Sequence, residues 1–246
     1  MEISNGVKML ELQVEAFGGR QELNPTLIWD DDTAILIDTG TPGQLEQIRI
    51  AMNEAGIPFE KLKAIILTHQ DIDHIGSLPE ILQESDSCIE VYAHEVDKPY
   101  IEGELPLMKA NLESMAWQLE GLSEDESRKV VALVKNSPRA KVNRTLVGGE
   151  ELPFCGGIHV IFTPGHTPGH ISLYLKRSKT LVAGDAMFSV EGVLQGPHLP
   201  STPDMDTASR SIASYLDFDI DNVICYHGGL SKNNVEEQLK SIVKKV

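Results

Sequence analysis

Positive charge is scarce in this sequence. Its 246 residues include 21 lysines and arginines against 37 aspartates and glutamates, which gives a formal net charge of −16. Contacts with phosphate groups need clustered Lys and Arg side chains, so this balance argues against nucleic acid or an anionic membrane as a partner. The acidity is otherwise typical of a well-solvated surface and points to no particular function.

Cysteines are few, and long apolar runs are missing. Cys88, Cys155 and Cys225 are odd in number and widely spaced. They form neither a disulfide framework nor a CxxC metal-binding motif, which fits a reducing compartment. The first residues lack a basic segment followed by an apolar one, and no apolar stretch approaches the roughly 18 residues of a membrane span. We therefore expect a cytoplasmic protein.

Short apolar strands alternate with helical segments along most of the chain. Its length is enough to bury the core of one large α/β domain. Helices are predicted at residues 41–56, at 206–216 and from 233 onwards. Apolar runs bounded by turn residues predict strands. These runs lie at residues 26–29, 34–38, 64–68, 88–94, 158–165, 171–176, 180–185 and 222–228.

Residues 96–147 interrupt this alternation. They carry few strand signals and two helical stretches, at residues 107–122 and 123–137. Ser123 and Glu126 match the S-x-x-E capping box, which predicts the start of the second helix. Because the segment separates two strand-rich halves, we predict that it forms a helical insert or cap on the body of the domain.

Residues suited to metal binding recur at the ends of four apolar strands. In layered α/β proteins, sites assemble from loops at strand ends, because rigid strands hold the roots of those loops. The repetition of His and Asp at four such ends predicts a metal site. The residues are His69, Asp71, Asp73 and His74 after the first strand, His166 after the second, Asp185 at the third and His227 at the fourth.

Four motifs carry a resemblance to a known family. "THQDIDHIG", "TPGHTPGH", "VAGDAMF" and "CYHGG" follow one another as in the metallo-β-lactamase superfamily, and the similarity extends from residue 36 to the last helix. The resemblance implies an α/β fold, a four-layer αβ/βα sandwich with two facing sheets. It implies one domain over residues 1–246 with the helical insert at about 96–147. It also implies a hydrolase with two divalent metal ions, with zinc expected and manganese or iron as alternatives.

The resemblance also implies a set of ligands. The two ions would share a hydroxide with a lowered pKa, and this hydroxide would attack a polarised carbonyl or phosphoryl centre. Asp73 would act in catalysis as well, because its carboxylate can accept a hydrogen bond from the hydroxide and orient it. Asp71 departs from the family, which usually has histidine there. The implied ligands are His69, Asp71 and His166 for one ion, Asp73, His74 and His227 for the other, and Asp185 as a bridge between them.

Four further residues are candidates for supporting roles. Asp38 matches a family position near the site, where a carboxylate can fix the tautomer of a ligand imidazole. His170 follows His166 by four residues, and we expect it to make structural hydrogen bonds. Phe188 stands where similar acyl-homoserine lactonases have a tyrosine that stabilises the developing oxyanion. His198 lies in a proline-rich loop. Its alternative roles are a substrate contact, a proton donor or an ordinary loop residue.

The fold alone does not choose the reaction, because the superfamily hydrolyses many bond types. This sequence lacks the export signal of a secreted β-lactamase and the basic groove of nucleases. It also lacks the C-terminal helical extension of glyoxalase II-like enzymes and the extra domain of flavin-dependent members. We therefore expect hydrolysis of a small-molecule ester or lactone by a metal-bound hydroxide. The alternatives are a thioester hydrolase of the glyoxalase II type, a phosphodiester hydrolase, or a non-catalytic metal-binding protein.

The first testable prediction concerns Asp71. A carboxylate there adds negative charge and a harder donor than imidazole, which shifts relative preference towards manganese or iron. Asp71→His should keep two ions and move the preference towards zinc, whereas Asp71→Ala should weaken the first site alone. Competition between zinc and manganese, followed by elemental analysis, measures both effects. Unchanged affinity and activity in Asp71→Ala would show that Asp71 is not a ligand.

Overall fold

The computed structural model describes residues 1–16, 19–85, 88–110, 119–120 and 122–244. The strands of the first half are β1 (Glu2–Ser4), β2 (Val7–Met9), β3 (Leu12–Ala16), β4 (Gly19–Leu23), β5 (Thr26–Trp29), β6 (Ala34–Ile37), β7 (Leu62–Ile66), β8 (Glu90–His94) and β9 (Arg144–Leu146). Those of the second half are β10 (Glu151–Leu152), β11 (Ile158–Phe162), β12 (Ile171–Leu175), β13 (Thr180–Gly184), β14 (Phe188–Val190), β15 (Val193–Gln195), β16 (Asn222–Cys225) and β17 (Gly229–Ser231).

Helices lie between these strands and at the end of the chain. In the described residues they are α1 (Leu45–Glu54), α2 (Ile72–Ile75), α3 (Leu78–Glu84), α4 (Lys98–Ile101), α5 (Glu124–Lys135), α6 (Met205–Ile212) and α7 (Val235–Val243). The helix predicted from residue 41 begins later, at Leu45, with Gln44 as its N-cap residue. No helix in the described part of the chain is long and apolar enough to cross a membrane.

Two mixed sheets form the centre of the fold. The first has the strand order β1-β2-β5-β6-β7-β8-β9, and the second has the order β10-β11-β12-β13-β16-β17. In the first sheet, β6 to β9 run parallel to one another and the remaining pairs are antiparallel. In the second sheet only β13 and β16 pair in parallel. The strands β3–β4 and β14–β15 form separate two-stranded sheets.

Three hydrophobic layers hold the sheets and helices together. One lies between the first sheet and helices α1 to α3, one between the two sheets, and one between the second sheet and helices α6 and α7. On β6, Leu36 faces the helices while Ile35 and Ile37 face the second sheet. Strands buried on both faces need apolar residues at every position, which explains why these strands are continuous apolar runs in the sequence. The predicted α/β fold of two sheets flanked by helices is confirmed.

The segment predicted as an insert, residues 96–147, contains α4, α5 and β9. Helix α5 starts at the predicted capping box, where the Ser123 hydroxyl accepts a hydrogen bond from the Glu126 N–H, at 3.3 Å, and the Glu126 carboxylate accepts one from the Ser123 N–H, at 2.9 Å. Strand β9 extends the first sheet beside β8. Most of the helical stretch predicted at residues 107–122 lies outside the described residues.

Helix α2 carries two candidate metal ligands and packs tightly against the loop after β6. The N–H and the hydroxyl of Thr39 both donate to the carbonyl of His74, at 2.7 and 2.8 Å. The Gly76 N–H donates to the carbonyl of Gly40, at 2.8 Å. A Cβ on Gly76 would overlap the backbone of Thr41. Glycine at position 76 therefore permits the close approach of these two loops.

We predict that Gly76→Ala lowers the free energy of unfolding by about 2 kcal/mol or more, because backbone atoms cannot move aside as a flexible side chain can. Thermal and chemical denaturation measure this loss. Gly196→Ala is the matched control, since its added methyl meets no atom nearer than Ile242 Cγ2 at 3.7 Å. If both variants unfold like the parent chain, the close approach at Gly76 is not a constraint on the fold.

Candidate metal centre

Metal-binding side chains from both sheets converge at the ends of four strands. They come from the loop and helix after β7, from the loop after β11, and from the ends of β13 and β16. Potential ligand atoms lie within 4.8 Å of one another in each of two clusters. The first cluster is His69, Asp71, His166 and Asp185, and the second cluster is Asp73, His74 and His227.

The first cluster is arranged around the carboxylates of Asp71 and Asp185. The Oδ2 atom of Asp71 lies 3.2 Å from His69 Nε2 and 3.1 Å from His166 Nε2. The Oδ2 atom of Asp185 lies 3.3 Å from the same atom of His166. Carboxylate oxygens and imidazole Nε2 atoms thus surround one point, as the ligands of a metal ion do.

The second cluster shares a carboxylate with the first. His227 Nε2 lies 3.3 Å from Asp73 Oδ2, and His74 Nε2 lies 3.9 Å from the same oxygen. Asp185 lies between the clusters, with Oδ1 3.3 Å from His74 Nε2 and Oδ2 3.4 Å from His227 Nε2. This is the position that a bridging carboxylate requires.

Three buried atoms of these clusters have no hydrogen-bond partner among the described residues. They are His69 Nε2, His74 Nε2 and Asp185 Oδ1. On both imidazoles the other ring nitrogen is engaged, because Thr68 Oγ1 lies 3.0 Å from His69 Nδ1 and Asp38 Oδ2 lies 2.9 Å from His74 Nδ1. Buried polar atoms are normally paired, so unpaired donor atoms aimed at one centre fit a metal ion there.

Electrostatic interactions keep these carboxylates ionised. Burial alone would raise the pKa of Asp71, yet the Lys109 ammonium and the His69 imidazole hold it well below its ordinary value. Although burial opposes a charged imidazole, the carboxylate of Asp185 raises the pKa of His227 to about 10. Buried carboxylates at such close range require positive charge beside them, which protons or metal ions supply.

Asp38 supports His74 from behind. It lies in the left-handed backbone region, with φ 62°, directly after β6. Its Oδ1 atom accepts a hydrogen bond from the Thr68 N–H, and its Oδ2 atom accepts one from the Thr68 hydroxyl, both at 2.8 Å. The contact with His74 Nδ1 leaves Nε2 of that ring directed at the centre. A carboxylate in this position fixes the orientation of the imidazole, and the supporting role of Asp38 stays a prediction.

Tyr226 was not singled out in the sequence and contacts the second cluster on two sides. Its ring stacks on His74 with a centroid separation of 3.7 Å, and its hydroxyl donates to the carbonyl of Asp73. Burial and the Asp73 carboxylate raise its pKa well above the ordinary value. The only sequence signal was its position directly before His227, which says nothing about contacts with α2.

Asp97 was also missed, and it joins the loops that carry the first cluster. Its buried carboxylate accepts hydrogen bonds from the Gln70 N–H at 3.1 Å, the Thr167 hydroxyl at 2.9 Å and the Gly169 N–H at 2.9 Å. Gln70 follows His69, and the other two residues follow His166. Asp97 therefore ties the loop after β7 to the loop after β11.

Lys109 is a third residue that sequence reasoning missed. Its ammonium forms an ion pair with Asp71 Oδ2 and lies 2.5 Å from His166 Nε2. It also donates to the carbonyl of Ser201, at 3.2 Å. Burial and this ammonium lower the pKa of His166 to about 4, which keeps that imidazole neutral. A lysine is ordinarily exposed, so nothing in the sequence pattern marked it.

The remaining candidates lie around the clusters. His170 is buried, its Nε2 atom accepts a hydrogen bond from the Asp185 N–H at 3.0 Å, and its Nδ1 atom lies 2.8 Å from Thr163 Oγ1. Both ring nitrogens of His170 therefore have partners within the protein. Phe188 opens β14, and its ring meets the exposed His198 edge to face at 5.7 Å. Phe188 offers no hydroxyl to a substrate.

Comparison with known proteins agrees with this geometry. The family model described as "Metallo-beta-lactamase superfamily" matches residues 19–227. "Probable metallo-hydrolase YflN" of Bacillus subtilis is 34% identical over 208 residues, covering 79% of this chain and 75% of the relative. "Hydroxyacylglutathione hydrolase GloC" of Haemophilus influenzae is 27% identical over 222 residues, covering 89% of this chain and 90% of the relative.

Solved structures show the same fold. The metallo-β-lactamase family protein TTHA1429 of Thermus thermophilus superimposes with a TM-score of 0.72 at 22% identity, covering 99% of this chain and 80% of that chain. The family resemblance predicted from the four motifs is confirmed by the family match and the relatives.

We predict that Asp97→Asn weakens both the fold and metal binding. In the parent chain the Asp97 carboxylate accepts hydrogen bonds from two backbone N–H groups. The NH2 of the new amide would face one of these donors, which should cost about 2 kcal/mol of stability. Displaced loops should lower zinc affinity about tenfold or more. Thermal unfolding and zinc titration measure the two effects. Asp31→Asn, an exposed position with the same change in charge, is the control. Equal behaviour of the two variants would contradict the role of Asp97.

Proposed function

The chain belongs to the metallo-β-lactamase superfamily as a metallo-hydrolase, and we propose that it uses two divalent metal ions to hydrolyse a small-molecule ester or lactone. One observation carries the proposal. The unpaired Nε2 atoms of His69 and His74 and the unpaired Oδ1 of Asp185 point into two adjoining clusters of carboxylates and imidazoles. Two neighbouring cations would pair with these atoms, whereas folding alone does not require them to converge.

The ligands would divide as the clusters do. When bound, the two ions would polarise the substrate carbonyl and lower the pKa of a water molecule. Zinc is the expected ion, and manganese or iron are the alternatives that the oxygen donor of Asp71 favours. We assign His69, Asp71 and His166 to the first ion, Asp73, His74 and His227 to the second, and Asp185 to both.

Exposure distinguishes the two clusters. The side chains of His69, His166 and Asp71 are 0%, 1% and 14% exposed. In the second cluster His74 is equally buried, but Asp73 and His227 are 33% and 39% exposed. Substrate therefore approaches from the side of the second cluster. There the Asp73 carboxylate would accept a proton from the attacking water and orient it.

Several features support a small, weakly charged substrate. The net charge of −16 disfavours polyanions such as nucleic acid. Phe188 lacks the phenol of similar lactonases, and the Tyr226 hydroxyl donates to the Asp73 carbonyl instead of pointing to a substrate. Stabilisation of the developing oxyanion would therefore fall to the ions.

The unpaired thiols of Cys88, Cys155 and Cys225 fit activity in the cytoplasm.

A thioester is the second candidate substrate class. GloC, which this chain resembles along 90% of the length of that relative, is named a hydroxyacylglutathione hydrolase. A thioester carbonyl presents the same electrophilic carbon as an ester, with a thiolate as the leaving group. The same residues would serve both reactions, so a direct comparison of the two substrate types is needed.

We also propose that residues 96–147 act as a cap beside the first cluster within one domain. The Met108 N–H donates to Gln70 Oε1 at 2.9 Å, and Lys109 contacts Asp71. Through these contacts the segment would cover the first cluster and leave the more exposed second cluster to the substrate.

We predict about two ions per chain and a strong dependence of hydrolysis on Asp73. Protein purified without chelators in zinc-supplemented medium should show this content by elemental analysis. Asp73→Asn should lower kcat/KM by about a thousandfold, because it removes both the proton acceptor and a charged ligand of the second ion. Asp31→Asn is the matched control for charge.

A panel of lactones, aryl esters, thioesters and aryl phosphodiesters identifies the substrate class. Preference for thioesters or phosphodiesters would replace the ester assignment. Full metal content without turnover on any substrate would favour a non-catalytic role. Metal content near zero would contradict the centre itself.

A further inference from the structure

Lys109 introduces a positive charge into the first cluster. Its ammonium pairs with Asp71 Oδ2 and lies 2.5 Å from His166 Nε2. Its side chain is only 18% exposed, so this contact is shielded from solvent. Both atoms are ligand atoms that the proposed function assigns to the first ion, and the lysine belongs to the segment proposed as a cap.

The ammonium and a metal ion cannot share this position. Zinc binds imidazole nitrogen and carboxylate oxygen at about 2.0–2.2 Å. An ion at that distance from Asp71 Oδ2 and His166 Nε2 would occupy the space that the Lys109 ammonium fills. Two positive charges at such a distance would also repel each other strongly in a buried site.

We propose that Lys109 is a built-in cation that competes with the first metal ion for Asp71 and His166. Because the lysine occupies ligand atoms of the first cluster, the second cluster would fill first. The first ion would bind only as the lysine moves aside. This inference rests on the ligand set of the proposed function and adds an order of filling and the residue that determines it.

The carboxylate at position 71 makes this competition possible. An aspartate forms an ion pair with an ammonium, whereas a neutral imidazole at the same position would not attract it in this way. The carbonyl of Ser201, 3.2 Å from the ammonium, offers an acceptor outside the ligand set. The lysine can keep its hydrogen bond to this carbonyl when Asp71 and His166 bind a metal ion.

Zinc titration of the chelator-stripped full chain tests the proposal. The parent chain should bind two ions with clearly different affinities, and Asp71→Ala should abolish the weaker phase. Lys109→Met should tighten the weaker phase at least tenfold and bring the two affinities together. Lys109→Arg keeps the positive charge and should preserve a gap between them. Lys141→Met, an exposed lysine of the same segment, controls for the change in net charge.

A second measurement on the unmodified chain avoids any defect in folding. Labelling with an amine-reactive acylating reagent, read by mass spectrometry, should modify Lys109 severalfold faster after the second equivalent of zinc than after the first. Lys141 should react at a constant rate throughout.

The outcomes separate this inference from the function on which it rests. If Lys109→Met binds two ions with the same affinities as Lys141→Met, the metal centre stands and the competition is wrong. Labelling of Lys109 that does not respond to zinc would also overturn it. If no variant binds zinc, the metal centre and the competition both fail.

Discussion

Repulsion among closely spaced carboxylates is the constraint on which this site depends. Asp71, Asp73 and Asp185 converge with their charges facing one another, and folding alone gives no reason to gather them. The structure accepts this cost because imidazoles lie between the carboxylates and because the sheets beneath are well packed. Two divalent ions would neutralise this repulsion, because each carboxylate would then bind a cation. The same carboxylates would thus both hold the ions and supply the proposed chemistry.

The two sheets make that arrangement rigid. The layer between them places the ends of β7, β11, β13 and β16 at fixed separations. Side chains behind the ligands then set their orientation. Asp38 and Thr68 hold His74, Tyr226 covers its ring, and Asp97 joins the two loops of the first cluster. These polar groups therefore position other groups of the centre.

The two clusters differ in character even though they share Asp185. The first is largely buried and contacts a lysine, whereas two of the three residues of the second, Asp73 and His227, are partly exposed. Under the proposed function, the inner side would carry structural contacts and the Lys109 ion pair, and the substrate would approach the outer side. Asp71, the departure from the usual histidine, belongs to the inner side and forms the ion pair with Lys109.

The sequence by itself determined the alternation of apolar strands and helices and the four strand ends that carry His and Asp. Both follow from local patterns, since strands buried on both faces must be apolar and the motif residues lie next to those strands. Strands β1 and β2 were not predicted because each is only three residues long, which is too short for an apolar pattern to stand out. Tertiary structure alone decided the contacts of Asp97, Lys109 and Tyr226. Their partners lie far away in the chain, as Asp73 lies 153 residues from Tyr226. Only the packing of two sheets and the loops between them brings such residues together, and no local pattern encodes that distance.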